Sequence, residues 1–293
     1  MADGQDSASL DDLEEPSWFV TKRIREGLYL TQEPYFFEGN RCNIWLIKGP
    51  HKDVVIDTGI GVQNLRKHLE KEALIDPIDG TRECIAVLSH VHFDHSGGAK
   101  DFTNVLIHEL EVEALRGAVS TETLNYVKAS HFHKEPYKGF NVNKYKVVPT
   151  ECQSVQDGDK IDLGQGEYLQ VIHVPGHTGG SIIIYYPKYS ELYVGDFVYE
   201  CTNGSNLLDW APNSCMSHYL DSARKIAQWI SSNHIQKVYP GHFEIISPTR
   251  TTQLLEQYIE SRAGVCSRCC TGCLKPLVKM YFALGCFKMK CCP

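Results

Sequence analysis

Apolar residues in the first half of the chain form short runs separated by one periodic stretch. NIWLIKG and DVVIDTG predict two strands that meet in a turn at Pro50, and CIAVLSH predicts a buried strand. Between them, NLRKHLEKEAL has the spacing of an amphipathic helix. NVLIHE and ELEVEALRG repeat the alternation of strand and helix. The first half is therefore predicted to be a β-sheet with helices packed against it.

The second half repeats this organisation after residues 117–145, which lack a clear period and are interpreted as a connection. DGDKIDL and EYLQVIHVPGH predict antiparallel strands around a turn at Gly164 to Gly166. SIIIYYP, ELYVGD and KVYPGH predict further strands, and HYLDSARKIAQWIS and TTQLLEQYIES predict helices. Two such halves suggest an α/β fold of the αβ/βα sandwich type, with two mixed β-sheets packed face to face and helices outside.

Charge is unevenly distributed along the chain. The 293 residues carry a net charge of −7, but residues 261–293 contain six basic and no acidic residues, which leaves 23 basic and 36 acidic residues in residues 1–260. A body this acidic argues against nucleic acid as a partner, because nucleic-acid binding requires a basic surface. Residues 1–17 contain six acidic and no basic residues, so we expect a disordered acidic N-terminus rather than a secretory signal.

Composition also bears on the compartment. No apolar run approaches the length of a transmembrane helix, which requires about 20 residues. In a reducing compartment, the scattered cysteines of the body are expected to be free thiols rather than disulfides. These are Cys42, Cys84, Cys152, Cys201 and Cys215.

The most informative motif is HVHFDHSGG at residues 90–98, directly after the apolar run CIAVL. Imidazole nitrogens and carboxylate oxygens are typical zinc ligands. In an extended loop, residues two apart project to the same side, so His90 and His92 could bind one ion. Asp94 and His95 point elsewhere and could bind a second. Each ion needs further protein ligands, which must lie downstream.

Three candidate ligands follow in the second half. His177 lies in VPGHTGGS, Asp196 in LYVGDFVY and His242 in VYPGHF. Each comes after an apolar strand and a glycine, so the chain can turn sharply there and present the side chain at a sheet edge. A single P-G-H is weak evidence, but the ordered set of H-x-H-x-D-H, PGH, GD and PGH is specific.

This ordered set resembles that of the binuclear zinc hydrolases of the metallo-β-lactamase superfamily, over about residues 20 to 260. The resemblance implies a domain over residues 18–264 and two Zn²⁺ per chain. It also implies that Asp57, in VVIDTG, supports the loop of residues 90–98, here called the metal loop, without binding the metal itself. A turn cap after the strand is an equal alternative role for Asp57. The implied ligands are His90, His92 and His177 for the first zinc, Asp94, His95 and His242 for the second, and Asp196 as the bridge.

Several stretches are similar to animal acyl-coenzyme A thioesterases of this superfamily, among them FEGNRCNIWLIKG and the segment from GDFVY through LLDWAP to PGHF. The resemblance implies hydrolysis of long-chain acyl-CoA, such as palmitoyl-CoA, with Asp94 as the catalytic proton acceptor. Two zinc ions, two aspartates and a bridging hydroxide leave a formal charge of about +1, which would stabilise an anion formed there. Oxygen-reducing diiron members carry Glu where this chain has His92.

Two other functions stay open. A hydroxyacylglutathione hydrolase of the glyoxalase-II kind shares all seven ligands, but uses a sizeable C-terminal domain to hold glutathione, whereas 51 residues follow His242 here. An inert, membrane-associated metal-binding scaffold is the other alternative.

Candidate substrate contacts lie in two segments. Tyr35, Phe36 and Phe37 could cover an acyl chain or belong to the core. The connecting segment contributes cations that could meet coenzyme A phosphates or form a solvated loop: His131, His133, Lys134 and Lys138.

The C-terminal tail, residues 265–293, is basic and holds seven of the twelve cysteines. A short apolar face edged by lysines predicts membrane association with S-palmitoylation, because two acyl chains anchor a protein stably. We therefore expect a peripheral protein on the cytoplasmic face of the endoplasmic reticulum or plasma membrane. A zinc knuckle or an unstructured basic tail are the alternatives. The candidate acylation sites are Cys269, Cys270, Cys273, Cys291 and Cys292.

Overall fold

The computed structural model of the protein describes residues 17–201, 209 and 211–262. The acidic N-terminus before Ser17 and the cysteine-rich tail, with its five candidate acylation sites, lie outside the described residues. No helix within the described part of the chain is long and apolar enough to cross a membrane.

A seven-stranded mixed sheet is built from the first half of the chain. Its first four strands are antiparallel to one another, and the last four are parallel. In spatial order they are β1 (Val20–Arg25), β2 (Leu28–Gln32), β3 (Ile44–Lys48), β4 (Asp53–Ile56), β5 (Cys84–Val87), β6 (Val105–His108) and β7 (Gln153–Val155).

The second half forms a five-stranded sheet. Its strands pair antiparallel except for one parallel pair at the edge, between the last two strands of the chain. The strands are β8 (Lys160–Gly164), β9 (Glu167–His173), β10 (Ile182–Tyr186), β11 (Glu191–Gly195) and β12 (Lys237–Pro240), in the spatial order β12-β11-β10-β9-β8. The predicted hairpin of β8 and β9 is confirmed.

Six α-helices accompany the strands in the described residues. The two longest, Met216–Ser232 and Pro248–Ser261, confirm the helices predicted in the second half. The helices are α1 (Leu65–Lys71), α2 (Phe93–Ser96), α3 (Val112–Arg116), α4 (Ser120–Thr123), α5 (Met216–Ser232) and α6 (Pro248–Ser261). The predicted helix ELEVEALRG is shorter than expected, because Glu109–Glu111 forms a 3-10 turn before α3.

Alternate residues of the central strands face two different layers. In β3, Ile44 packs with the cluster that contains α1, whereas Trp45 packs with residues of the second sheet. In β10, Ile183 joins the cluster of α5 and α6, whereas Ile184 faces the first sheet. Because both faces of these strands are buried, their sequences are continuous apolar runs. The order helix, sheet, sheet, helix confirms the predicted αβ/βα sandwich.

This topology brings the candidate ligands to one edge. Strands β9, β11 and β12 run in the same direction, and each is followed by a candidate ligand. In the first sheet, the parallel strands β4 and β5 lead into Asp57 and His90. The carboxyl ends of such strands are where α/β sheets place their ligands. Both sheets therefore contribute residues to one site.

Candidate metal centre

The loop after β5 is extended at first and then helical. Its extended part brings His90 and His92 together, whereas Phe93–Ser96 forms the single helical turn α2 with His92 at its N-terminal boundary. The sequence pattern gave no indication of this helical turn. The helical turn is what directs Asp94 and His95 away from the first two histidines, and all four side chains are buried.

One group of imidazoles converges on His92. The Nδ1 atom of His92 lies 3.0 Å from the Nε2 atom of His90 and 3.0 Å from the Nε2 atom of His177. His177 comes from the loop after β9 in the second sheet, so the group joins both halves of the chain. The three side chains are buried and their ring nitrogens could hold one metal ion.

A second group forms around His95. Its Nε2 atom lies 3.1 Å from the Nε2 atom of His242, which in turn lies 3.6 Å from Oδ2 of Asp94. These three side chains are also buried and could hold an ion. The His242 ring is oriented by the connection that precedes β3, because its Nδ1 atom is 3.0 Å from the carbonyl oxygen of Arg41.

Asp196 lies between the two groups. Its Oδ1 atom is 3.2 Å from Nε2 of both His95 and His242, and its Oδ2 atom is 3.6 Å from Nε2 of His177. Each carboxylate oxygen thus faces a different group of histidines. Oδ1 is buried without a hydrogen bond. A bridging position is the arrangement that this geometry favours.

The donor set fits divalent cations. Imidazole nitrogens that face one another at 3.0 Å cannot all be satisfied by sharing protons, but they suit a shared cation. Burial, with neighbouring histidines, holds the pKa of His90 and His92 well below its usual value, so both are neutral, as ligands must be. Burial would raise the pKa of Asp196, but His242 and His95 hold it well below its usual value.

His95 experiences a strongly negative environment. Burial would lower its pKa, but the surrounding carboxylates of Asp196, Asp57 and Asp94 hold that pKa well above its usual value. The same balance, with Asp196 as the main opposing charge, raises the pKa of His242. Carboxylates that draw a proton onto buried imidazoles also attract a metal cation to the same nitrogens.

Asp57 holds the metal loop from behind. Its Oδ1 accepts a hydrogen bond from the backbone N–H of Ser89 at 2.7 Å, and its Oδ2 lies 2.9 Å from Nδ1 of His95. Ser89 Oγ donates to Oδ2 at 2.9 Å and lies 3.0 Å from Nδ1 of His90. Asp57 has a φ of 61°, a strained conformation typical of functional sites. One carboxylate therefore orients ligands of both groups.

Glycines allow the Asp57 turn to contact the metal loop closely. A Cβ atom on Gly61 would lie 2.0 Å from the carbonyl oxygen of Gly97, and one on Gly97 would lie 2.3 Å from that of Ile60. Gly61 also has a φ of 70°, a backbone conformation that residues other than glycine rarely adopt. The glycines of DTGIG and HSGG therefore permit direct backbone packing.

Two supporting residues were not found from the sequence. Asn40 Nδ2 donates to Oδ2 of Asp94 at 3.3 Å, and the backbone N–H of Gly180 donates to Oε1 of the buried Glu111 at 3.3 Å. Burial raises the pKa of Glu111 to about 7, although hydrogen bonds from Thr178, Gly180 and Val91 act in the opposite direction. Only tertiary packing brings these residues to the site, and no local pattern marks them.

The aromatic candidates for substrate contact divide by exposure. Phe36 is fully buried in the core of the first half, which accounts for it structurally. Tyr35 is half-buried, whereas Phe37 is 43% exposed and stacks on His131 with 5.4 Å between ring centroids. Lys134 Nζ lies over the Tyr35 ring, 5.4 Å from its centroid.

The buried cysteines of the body are free thiols rather than disulfides, as expected. Cys42, Cys84 and Cys152 are buried free thiols. Cys42 Sγ lies 3.5 Å from Nδ1 of His95, and burial raises the pKa of this thiol to about 12. It is therefore a neutral thiol that packs behind the second group of ligands.

Comparison with known proteins agrees with this geometry. The chain is 35% identical over 269 residues to the acyl-coenzyme A thioesterase MBLAC2 of Homo sapiens, over 90% of this chain and 94% of that protein. Its Gallus gallus counterpart is 34% identical over 266 residues, with the same coverage. A solved metallo-beta-lactamase family protein from Thermus thermophilus has the same fold, with a TM-score of 0.60 and 21% identity over 82% of this chain and 81% of that one. The family model of the metallo-beta-lactamase superfamily matches residues 38–242. The chain therefore belongs to the metallo-beta-lactamase superfamily.

Proposed function

We propose that this protein is a zinc-dependent thioesterase that hydrolyses long-chain acyl-CoA, of the palmitoyl-CoA type, to a free fatty acid and CoA. The observation that carries the proposal is the convergence of seven buried side chains from both sheets, with the two oxygens of Asp196 facing different histidine groups. The relatives named as acyl-coenzyme A thioesterases support the substrate class.

We assign the ligands of two zinc ions from these groups. His90, His92 and His177 would hold the first ion, and Asp94, His95 and His242 the second, with Asp196 shared. The two nearest-neighbour groups support this division, because each contains three ligand atoms within 4.8 Å of one another. Each ion would thus have three ligands of its own and one oxygen of the shared Asp196. Catalytic zinc can expand to five-coordinate, so water or substrate could still bind to either ion.

When bound, a pair of zinc ions supplies the Lewis acidity that activates water at neutral pH and polarises a thioester carbonyl. Within the protein, Asp94 is the candidate proton acceptor. It is buried, and Asn40 donates to its Oδ2 atom, which fixes the direction of the carboxylate. Asp57 holds His95 in the orientation that directs Nε2 toward the site.

The experiment compares hydrolysis of palmitoyl-CoA and S-lactoylglutathione by the zinc-loaded full-length protein. His92→Ala is the test variant, and His234→Ala, at an exposed position outside the site, is the matched control. We expect turnover of palmitoyl-CoA that is lost in His92→Ala and retained in His234→Ala. Preference for S-lactoylglutathione would instead support the hydroxyacylglutathione hydrolase. Turnover of neither substrate by protein with both metals bound would favour the inert scaffold.

We also propose that the protein acts on the cytoplasmic face of a membrane and is anchored through acylated tail cysteines. Composition of residues 265–293 supports this: lysines, apolar residues and clustered cysteines occur together there. Hydroxylamine-sensitive acyl exchange should label the full-length protein and not a variant with Cys269, Cys270, Cys273, Cys291 and Cys292 changed to Ser. Equal labelling of both proteins would contradict acylation at these sites.

A further inference from the structure

The segment between α4 and β7 concentrates positive charge. Residues 126–146 contain five lysines and one glutamate, a net charge of +4 in a chain whose total is −7. We call these residues the lysine segment. Four of the lysines are exposed and the fifth, Lys134, is half-buried. A run of exposed lysines in a protein of net negative charge marks a place where an anionic group can bind.

The lysine segment is held beside the metal loop. The hydroxyl of Tyr145 donates to the carbonyl oxygen of Ile60 at 2.8 Å, and the Tyr145 ring meets the edge of Phe93 with 6.2 Å between centroids. Phe93 lies between the candidate ligands His92 and Asp94. Lys144 and Lys146 precede and follow Tyr145 in the chain, so their backbone is held next to this contact with the metal loop.

An aromatic pair, of which Phe37 is exposed and His131 half-buried, connects the lysine segment to the site. Phe37 stacks on His131 with an angle of 24° between the rings, and its backbone N–H donates to the carbonyl oxygen of His131 at 2.8 Å. The carbonyl oxygen of Phe37 accepts from the backbone N–H of Asn40 at 3.0 Å, and Asn40 contacts Asp94. The exposed Phe37 ring is therefore linked to Asp94, the candidate proton acceptor, through a single turn and the Asn40 side chain.

The other side of the turn formed by residues 37–40 is both acidic and apolar. A cavity of about 460 Å³ is lined by Glu38, Glu200 and Glu244 together with Phe243 and neighbouring isoleucines. Phe243 follows the candidate ligand His242, so this cavity also adjoins the site. Three glutamates disfavour phosphate groups there, even though Glu200 is paired with Arg250. Charge therefore differs between the two approaches to the site.

We infer that the lysine segment binds the phosphates at the nucleotide end of coenzyme A, with the adenine base against Phe37. This inference rests on the proposed acyl-CoA thioesterase function and specifies how the substrate is oriented. Lysine ammonium groups are suited to the 3′-phosphate and diphosphate, and exposed aromatic rings are suited to a base. Glutathione thioesters lack these groups, so the same surface would select between the two substrate classes.

The test is charge reversal in the full-length, zinc-loaded protein. The variant Lys138→Glu, Lys144→Glu, Lys146→Glu changes three exposed lysines of the segment. The control Lys22→Glu, Lys67→Glu, Lys237→Glu changes three exposed lysines on β1, on α1 and at the start of β12. Each protein is assayed with the shortest acyl-CoA that the wild type hydrolyses and with the pantetheine thioester of the same acyl group, which has no nucleotide.

We expect KM for the acyl-CoA to rise about tenfold or more in the test variant, with kcat and the pantetheine thioester unaffected. The control should change neither substrate. Adenosine 3′,5′-bisphosphate should inhibit the wild type competitively and the test variant weakly. High salt should raise the wild-type KM toward that of the variant.

Other outcomes would overturn the inference in distinguishable ways. An unchanged KM for acyl-CoA in the test variant would show that these lysines do not bind substrate. An equal loss with both substrates would show a structural role only. A wild type that hydrolyses the two thioesters equally well does not recognise the nucleotide. A wild type that hydrolyses neither thioester would overturn the proposed function itself, and this inference with it.

Discussion

Glu111 provides the most direct test of how the two histidine loops are held together. It is 5% exposed, and its carboxylate accepts from the backbone N–H of Gly180 in the His177 loop, while the backbone of Val91, in the loop of His90 and His92, is close enough to lower its pKa. Its packing is close, since a Cβ atom on Gly180 would lie 2.6 Å from Cγ of Glu111. One side chain thus connects loops that come from different sheets.

Glu111→Ala should therefore affect stability and metal binding together. Removing the carboxylate leaves the backbone N–H of Gly180 without its acceptor, and an unsatisfied buried group costs about 1 to 3 kcal/mol. This unsatisfied group and the loss of packing lead us to expect a decrease of about 2 to 4 kcal/mol in the free energy of unfolding. Residues that position ligands commonly change metal affinity by about 10- to 100-fold when mutated, and we expect a loss of that size.

The assay combines zinc competition with a chromogenic chelator, thermal unfolding, and acyl-CoA hydrolysis. Glu111→Gln retains one acceptor oxygen and should keep zinc affinity within a few-fold of wild type. Glu113→Ala, two positions away on the solvent-exposed side of α3, controls for changes in local helix structure. If Glu111→Ala binds zinc as tightly as Glu113→Ala and turns over substrate at the same rate, the carboxylate does not connect the loops functionally and the reasoning is refuted.

Three other predictions follow from the same geometry. Asp57→Asn should weaken zinc binding about 10- to 100-fold, because His95 loses a carboxylate partner; a stoichiometry and affinity equal to wild type would contradict this. Burial raises the pKa of Glu33 to about 7, so the folded state binds this proton more tightly than the unfolded state, and its contribution to stability is lost as pH rises through about 7. The difference in Tm between Glu33→Gln and wild type should therefore shift in favour of the variant between about pH 5 and about pH 8, and a constant difference would oppose this assignment. Chelation should abolish hydrolysis and lower Tm, and zinc should restore both; full turnover by metal-free protein would exclude the proposed chemistry.

Burial on both faces explains which strands could be predicted from sequence. Strands β4 and β10 are apolar at nearly every position because helices cover one face and the opposite sheet covers the other. Strand β1, VTKRIR, was not predicted, because its position at the sheet edge leaves charged residues exposed. Strand β7 has three residues, two of them exposed, and its place is set by pairing with β6 rather than by its own pattern.

Candidate ligands could be found from sequence because each motif places a side chain that can bind metal directly after the end of a strand. The order of His90, His177, Asp196 and His242 needs no knowledge of distances. Asn40 and Glu111 could not be found in this way, since an isolated asparagine or glutamate has no distinctive neighbours and acts only through tertiary contacts. Helix α2 was also missed, because a single turn is too short to have a period.

The division of ligands between the sheets links metal binding to the packing of the whole domain. Residues 90–95 follow a strand of the first sheet, whereas His177, Asp196 and His242 follow strands of the second. Under the proposed assignment, neither sheet alone supplies all the ligands of either ion. Each ion would therefore cross-link the two sheets and stabilise their packing, in addition to its chemical role. A substitution that separates the sheets should consequently release both ions together, even when it lies far from every ligand.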